Sequence, residues 1–168
     1  MHRISTHLTR MEIHMKLTRL KTLAAGAMLA GSALSAQAAE QKTDPIMGVP
    51  AGALEDFGGE AGVRNWVESL FYYIMLDNRI NHIFREFGNV ERQTFLNTQL
   101  EQMVLGGPNN YQGASMSAAH ADLGITMTQF NAVVEAAYNA CERNVIRYHT
   151  CNHLINALAP FTDDIVTR

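Results

Sequence analysis

Hydrophobic positions recur at steps of three and four between residues 60 and 76, which predicts a helix with one face in the core. Asp77-Asn78 interrupts this pattern, and a short apolar stretch over residues 80–87 ends at Gly88-Asn89. The next helical stripe is formed by Leu96, Leu100, Met103 and Val104. It stops at Gly-Gly-Pro, residues 106–108, because glycine suits a helix end and proline cannot continue a helix.

Residues 106–115 are predicted to form a loop that leads into a short helix. The apolar face of that helix has a histidine in its middle and consists of Met116, Ala119, His120 and Leu123. Thr126 and Gln129 have the spacing of a capping box, so they are predicted to open a further helix.

The last predicted helix runs from about residue 150 to residue 166, with a kink at Pro160 because proline lacks a backbone N–H. No segment alternates with a period of two over a convincing length, and no internal repeat is found. The patterns therefore predict an all-α fold.

The N-terminal segment has a pattern of its own. From Met15 onward, three cations precede an apolar run over residues 23–34 and the small-residue pattern Ala36-Gln37-Ala38. This order is typical of a secretory signal peptide that starts at Met15 and is cleaved after Ala38. The apolar run is shorter than the roughly 20 residues of a membrane-spanning helix, which argues against the alternative of a retained anchor.

Cleavage of residues 1–38 predicts a periplasmic protein without stable membrane insertion. Residues 39–53 contain proline, glycine and polar residues without periodicity, so they are predicted to be a flexible lead-in. A chain of 168 residues is too short for two comfortable domains, and we predict one domain over residues 54–168.

Charge and composition exclude several classes of protein. Removal of residues 1–38, which carry five cations and one acid, changes the formal net charge from −3 to −7 and leaves Lys42 as the only lysine. This acidic balance argues against binding to nucleic acid or to an anionic membrane. A hydrophobic content of 47% with a charged content of 17% indicates a globular protein rather than a disordered one.

Few sequence motifs point to chemistry. The sequence has no Gly-rich phosphate loop, no His-Glu-x-x-His and no paired Cys-x-x-Cys, and it lacks Cys-x-x-Cys-His, the motif for covalent haem attachment. His149 and His153 stand four apart on a predicted helix, which suits two ligands of one metal, but exposed polar residues are the simpler interpretation without a third ligand. Cys141 and Cys151 allow a disulfide in an oxidising compartment without requiring one.

The segment around His120 resembles group I truncated haemoglobins. A histidine on an apolar helix face is either a core residue or a ligand, and spacing alone leaves both interpretations open. Residues 106–126 contain Gly-Gly-Pro, then Tyr-Gln-Gly, then Met116 four residues before His120, then Gly-Ile-Thr, in the family's order and without a gap. The resemblance covers residues 54–168, and its further matches are Phe57-Gly58-Gly59-Glu60, Phe84, Phe130, Val133 and Ala159-Pro160.

The resemblance implies a truncated two-over-two globin fold around a haem pocket. It implies that His120 is the proximal ligand of the iron in a non-covalently bound haem b, a role that suits a neutral imidazole. The apolar slot for the haem is implied to include Phe84, Met116, Ile125, Phe130 and Val133.

On the distal side the sequence departs from the family pattern. Many members have a tyrosine in the second helix that donates a hydrogen bond to oxygen, whereas the aligned position here is Phe71. Tyr72 is next to it, but one residue turns a helical side chain by about 100°, so either the donor is missing or the register is shifted. Two registers of the next helix also stay open, with the distal pair being either Gln93 and Asn97 or Arg92 and Leu96.

The resemblance implies reversible binding of a diatomic gas, oxygen or nitric oxide, as in oxygen transport. The alternative is an enzyme, a haem-dependent nitric oxide dioxygenase or a peroxidase-like protein. An enzyme would need an external electron donor, because the sequence shows no flavin or nicotinamide domain. A haem-free helical interaction module is a third interpretation.

Overall fold

Eight α-helices and one 3-10 turn form the part of the chain that the computed structural model describes, residues 48–168. In chain order they are α1 (Ala53–Asp56), α2 (Gly59–Leu76), α3 (Asn81–Glu86), α4 (Val90–Val104), α5 (Met116–His120), α6 (Met127–Arg143), α7 (Tyr148–Leu158), the 3-10 turn Ala159–Phe161 and α8 (Thr162–Ile165). The only β-type pairing within these residues is an isolated bridge between Ile125 and Val166, so the all-α prediction is confirmed.

The predicted signal peptide, residues 1–38, lies outside the described residues, as does most of the predicted lead-in. Within residues 48–168 no helix is both long enough and apolar enough to cross a membrane. Val49 and Ala53 are buried in the core, so packing begins slightly before residue 54, where we expected the domain to start.

The long helix α2 packs against both α4 and α6, and α6 in turn packs against α7. Trp66 of α2 is 1% exposed and lies at the centre of this packing. Its ring meets Phe57 edge to face at 6.0 Å between centroids, and its Nε1 donates to Cys141 Sγ at 3.1 Å. The predicted apolar face of this helix is therefore the inner face of the core.

Backbone geometry explains the glycines at the start of α2. Gly58 and Gly59 have φ angles of +87° and +70°, a region that residues with a Cβ rarely adopt. A Cβ added at Gly62 would lie 1.9 Å from the carbonyl oxygen of Phe57. The first turn of α2 thus packs directly on the backbone that precedes it.

The prediction for the short helix before Thr126 is wrong at its C-terminal end. Helix α5 stops at His120, because Ala121 has an extended ψ of 140° and Asp122 has a φ of +65°. Leu123 therefore lies beyond the helix. His120 is the last helical residue and does not lie in the middle of an apolar helix face.

The last predicted helix begins earlier and is broken rather than kinked. Helix α7 starts at Tyr148 and ends at Leu158, and Pro160 follows within the 3-10 turn before α8 resumes at Thr162. Proline donates no backbone hydrogen bond, so the α-helical pattern cannot continue through this point.

Two local features join α6 to its surroundings. The predicted capping box is confirmed, since Thr126 Oγ1 accepts from the Gln129 N–H at 3.3 Å and Gln129 Oε1 accepts from the Thr126 N–H at 2.9 Å. A disulfide joins Cys141, near the end of α6, to Cys151 in α7, with Cα atoms 6.2 Å apart. Both half-cystines are buried, so the disulfide belongs to the core.

Candidate functional site

A mostly apolar cavity of about 370 Å³ opens between the helices. Its lining comes from α2 to α8 and from the loops between them, and its volume is typical of a small-ligand site. Seven residues predicted from the sequence line it, together with Gln93 and Asn97 from one of the two open distal pairs: Phe71, Phe84, Gln93, Asn97, Met116, His120, Ile125, Phe130 and Val133.

His120 is half-buried at the C-terminal end of α5, where it lines the cavity. Its Nδ1 lies 2.8 Å from the carbonyl oxygen of Met116, one helical turn earlier. A carbonyl oxygen can only accept a hydrogen bond, so the proton of the neutral imidazole is held on Nδ1. Nε2 is then unprotonated, which is the form in which a histidine nitrogen binds a metal.

The α2 residues that line the cavity carry no hydroxyl group. Phe71 is 4% exposed and meets Phe84 edge to face, with ring centroids 5.8 Å apart. Tyr72 is 50% exposed, and its ring lies beneath the guanidinium of Arg143 at 4.8 Å. The tyrosine is thus on the outer face of α2, and the phenylalanine is on the cavity side.

Helix α4 contributes polar groups to the cavity. Gln93 and Asn97 line it together with Leu96, whereas Arg92 is exposed and is not part of the lining. Asn97 Nδ2 donates to the backbone carbonyl of Gln93 at 3.0 Å, which holds that amide against its own helix. Gln93 Oε1 is buried without a hydrogen-bond partner among the described residues.

Glu101 lines the cavity as well, and our interpretation of the sequence missed it. Its side chain is 3% exposed, and Oε2 has no hydrogen-bond partner in the described part of the chain. Burial raises the pKa of this carboxyl to about 8, because water no longer stabilises the charge. The four-residue step from Gln93 through Asn97 was the available signal, but glutamate usually marks the exposed face of a helix.

Comparisons with known proteins place the chain in a family. The bacterial-like globin family matches residues 53–167. A group 1 truncated haemoglobin from Tetrahymena pyriformis is 32% identical over 89 residues, which are 53% of this chain and 73% of that protein. The chain belongs to the truncated haemoglobins of the bacterial-like globin family. A second group 1 relative, from Tetrahymena thermophila, is 32% identical over 81 residues, or 48% of this chain and 66% of that protein.

Solved structures share the fold of this truncated haemoglobin. The Fe(III) form of the Tetrahymena pyriformis protein superposes with a TM-score of 0.65 at 24% identity, covering 69% of this chain and 98% of that one. The 2/2 haemoglobin of Synechococcus, which has covalently attached haem, gives 0.64 at 24% with the same coverage. A group II protein from Bacillus anthracis gives 0.63 at 23%, covering 70% and 92%. The predicted two-over-two globin fold is confirmed.

A globin holds a haem iron, and the residues around this cavity fit that group. The apolar side chains, with Phe71 and Phe84 among them, form a lining that suits a flat hydrophobic macrocycle. With Nδ1 beside a carbonyl oxygen, the neutral imidazole of His120 has Nε2 available as the axial donor that a haem iron takes. The unpaired buried oxygens of Gln93 and Glu101 are polar atoms that a guest molecule or ordered water would satisfy.

Two other candidate regions of the globin do not form comparable sites. The rings of His149 and His153 lie 6.3 Å apart, and no group of three metal-binding side chains occurs within residues 48–168. A cleft of about 440 Å³ lies beside Arg79, whose guanidinium pairs with both Asp77 and Glu135. The hydrogen bonds from Arg79 lower the pKa of Asp77, so this cleft contains a satisfied ion-pair network.

Proposed function

We propose that this truncated haemoglobin binds haem b non-covalently, with His120 as the axial ligand, and reversibly binds oxygen or nitric oxide. The hydrogen bond from His120 Nδ1 to the Met116 carbonyl carries the proposal, because it orients the imidazole and leaves Nε2 unprotonated. The absence of Cys-x-x-Cys-His from the sequence supports non-covalent binding.

When bound, haem iron supplies the coordination position for a diatomic gas. The protein supplies the environment on both sides of that position. Phe71 and Phe84 present a hydrophobic surface that excludes water, while Gln93 and Asn97 present amides. Helix α2 presents no tyrosine hydroxyl to the cavity. We therefore expect faster release of the gas than from a pocket in which a tyrosine of this helix donates a hydrogen bond to it.

Gas release from the haem-loaded protein tests this function and the distal register together. We expect Gln93→Leu or Asn97→Leu to change the oxygen dissociation rate about fivefold, the size of one neutral hydrogen bond. Arg92→Leu is the matched control on the same helix, and it should leave the rate unchanged because Arg92 is exposed. Failure to take up haem or gas would refute the proposed function. A rate change confined to Arg92→Leu would instead support the register in which Arg92 and Leu96 are the distal pair.

The same sample separates a carrier from a catalyst. Nitric oxide is added to protein equilibrated with oxygen, first alone and then with an external reductant. A carrier consumes no more than one equivalent of nitric oxide per haem. Sustained consumption with the reductant would support the dioxygenase alternative, in which an electron donor must act repeatedly. Hydrogen peroxide with the same reductant tests the peroxidase-like reaction.

We also propose export to the periplasm, with cleavage after Ala38. The order of charged, apolar and small residues before that position supports this. The buried disulfide between Cys141 and Cys151 supports it too, because such bonds persist in oxidising compartments. Fractionation of cells that express the full chain should yield periplasmic protein whose N-terminus is Ala39. Cytoplasmic protein that retains residues 15–38 would contradict this proposal.

A further inference from the structure

Glu101 is a buried acid for which the proposed function gives no role. It lies on α4 one turn after Asn97 and two turns after Gln93, and all three residues line the cavity. Successive members of this series are about 6 Å apart along the helix axis. They form a polar stripe, which we call the α4 stripe, along a cavity whose other side chains are mostly apolar.

The carboxyl of Glu101 lacks a partner that its burial requires. Oε2 is shielded from solvent and receives no hydrogen bond from the described residues. Buried polar atoms in folded proteins are normally paired with protein, ordered water or a ligand. Burial also raises the pKa of this carboxyl to about 8, so at neutral pH the group carries an O–H that can donate.

We propose that Glu101 is a hydrogen-bond donor to small acceptor molecules in the cavity: water in the resting protein, and the diatomic gas once it has entered. The inference rests on the proposed function, since it assigns a protein partner to the gas in the haem pocket. Through Glu101, α4 supplies the donor that Phe71 cannot supply from α2.

Ionisation of Glu101 near pH 8 would remove a hydrogen-bond donor from the cavity. The other titratable side chains in the described lining are Tyr111 and His120. The Tyr111 hydroxyl donates to the Ala114 carbonyl at 2.9 Å, and burial raises its pKa further above this range. His120 is the residue that the proposed function assigns to the iron, and its Nδ1 lies 2.8 Å from the Met116 carbonyl oxygen. Every lining residue on α2, α6 and α7 is uncharged, so the donor is present below about pH 8 and is lost above it.

Infrared difference spectroscopy of the haem-loaded protein tests this directly, with carbon monoxide as the probe. Photolysis moves carbon monoxide within the cavity, so a carboxylic acid that contacts it should show a C=O band that shifts between the two states. We expect this band in the wild type, its shift in deuterium oxide, and its loss as the pH rises past about 8. Glu101→Gln should abolish the band. Glu91→Gln, which changes an exposed acid on the same helix, should retain it.

Oxygen release gives a second measurement. Glu101→Leu should raise the dissociation rate about fivefold at neutral pH, which corresponds to one neutral hydrogen bond. Glu101→Gln retains an N–H donor, so its rate should stay near that of the wild type and should no longer depend on pH around 8. Leucine is apolar, like most side chains that line the cavity, so Glu101→Leu is expected to fold.

The outcomes distinguish the two proposals. A protein that takes up neither haem nor gas overturns both of them. A protein that binds gas, but shows no carboxylic acid band and releases oxygen as fast as its Glu101→Leu variant does, overturns the role of Glu101 and leaves the proposed function intact.

Discussion

Adjacent residues on α2 have opposite roles because one step along a helix turns the side chain by about 100°. Phe71 lines the cavity and packs on Phe84, while Tyr72 is half exposed beneath Arg143. The Tyr72 hydroxyl is therefore not available to the cavity. A single substitution should therefore be enough to give the cavity face of α2 a hydroxyl donor.

Phe71→Tyr places a hydroxyl on the cavity side of α2 and should slow oxygen dissociation about tenfold, the upper range of one neutral hydrogen bond. Stopped-flow displacement of oxygen by carbon monoxide measures the rate. Tyr72→Phe is the matched control, since it removes a hydroxyl from the outer face and should have no effect. An unchanged rate in Phe71→Tyr would mean that this position does not face the gas.

The ionisation of Glu101 should also appear in protein stability. Between about pH 4.5, its usual value, and about pH 8, the folded protein keeps a proton on Glu101 that the unfolded chain releases. Wild-type stability therefore falls as the pH rises through this window, by up to about 1.4 kcal/mol per pH unit from this group. Glu101→Gln removes this dependence, so its stability relative to the wild type rises across the window and levels off above it.

Urea unfolding of the haem-loaded wild type and of Glu101→Gln at several pH values measures this difference, with Glu91→Gln as an exposed-acid control. Parallel profiles for the wild type and Glu101→Gln would show that the carboxyl is not held protonated by the fold.

The sequence was enough to predict that Phe71 lies in the pocket, but not that Glu101 does. A helical acid is exposed in most proteins, and only tertiary packing shows that this one is buried.

Some helix boundaries are set by local hydrogen bonds and others by tertiary packing. The start of α6 was predictable because the Thr126–Gln129 capping box is a local hydrogen-bond pattern. The end of α5 was not, because Ala121 and Asp122 leave the helix without a glycine or proline to mark it. A kink was predicted at Pro160, where the structure has a break, because whether proline kinks or interrupts a helix depends on the packing around it.

The connection between α6 and α7 should depend strongly on its disulfide. Cys141 and Cys151 are ten residues apart, and closing a loop of this length stabilises a protein by roughly 3 kcal/mol. The double substitution Cys141→Ala with Cys151→Ala should lose about this amount, and it also removes the sulfur that accepts from Trp66 Nε1.

Chemical denaturation of the double variant and of the oxidised wild type measures the loss. The wild type treated with a thiol reductant is the control, because it loses the covalent link while keeping both sulfur atoms. Equal unfolding free energies for all three samples would show that the disulfide does not form in solution or does not constrain the unfolded chain.

At the scale of the whole molecule, the haem pocket is a product of packing between elements that are distant in the sequence. Its lining comes from every helix from α2 to α8, so no local pattern could have defined its shape. The run from Gly106 to Thr126 resembled the truncated haemoglobins closely enough to predict His120 as the axial ligand, and the family was then confirmed. The resemblance also predicted the apolar pocket residues Phe84, Met116, Ile125, Phe130 and Val133, all of which line the cavity. Periodicity alone left His120 open between a core residue and a ligand.

Axial ligation of the haem by His120 is the central proposal, and the absorption spectrum of the haem-loaded protein tests it most directly. The wild type should show the Soret band of a histidine-ligated haem. His120→Gly should lose that band position and recover it when free imidazole is added, while His82→Ala, at an exposed histidine, should match the wild type. A His120→Gly spectrum identical to that of the wild type, with no response to imidazole, would show that His120 is not the axial ligand.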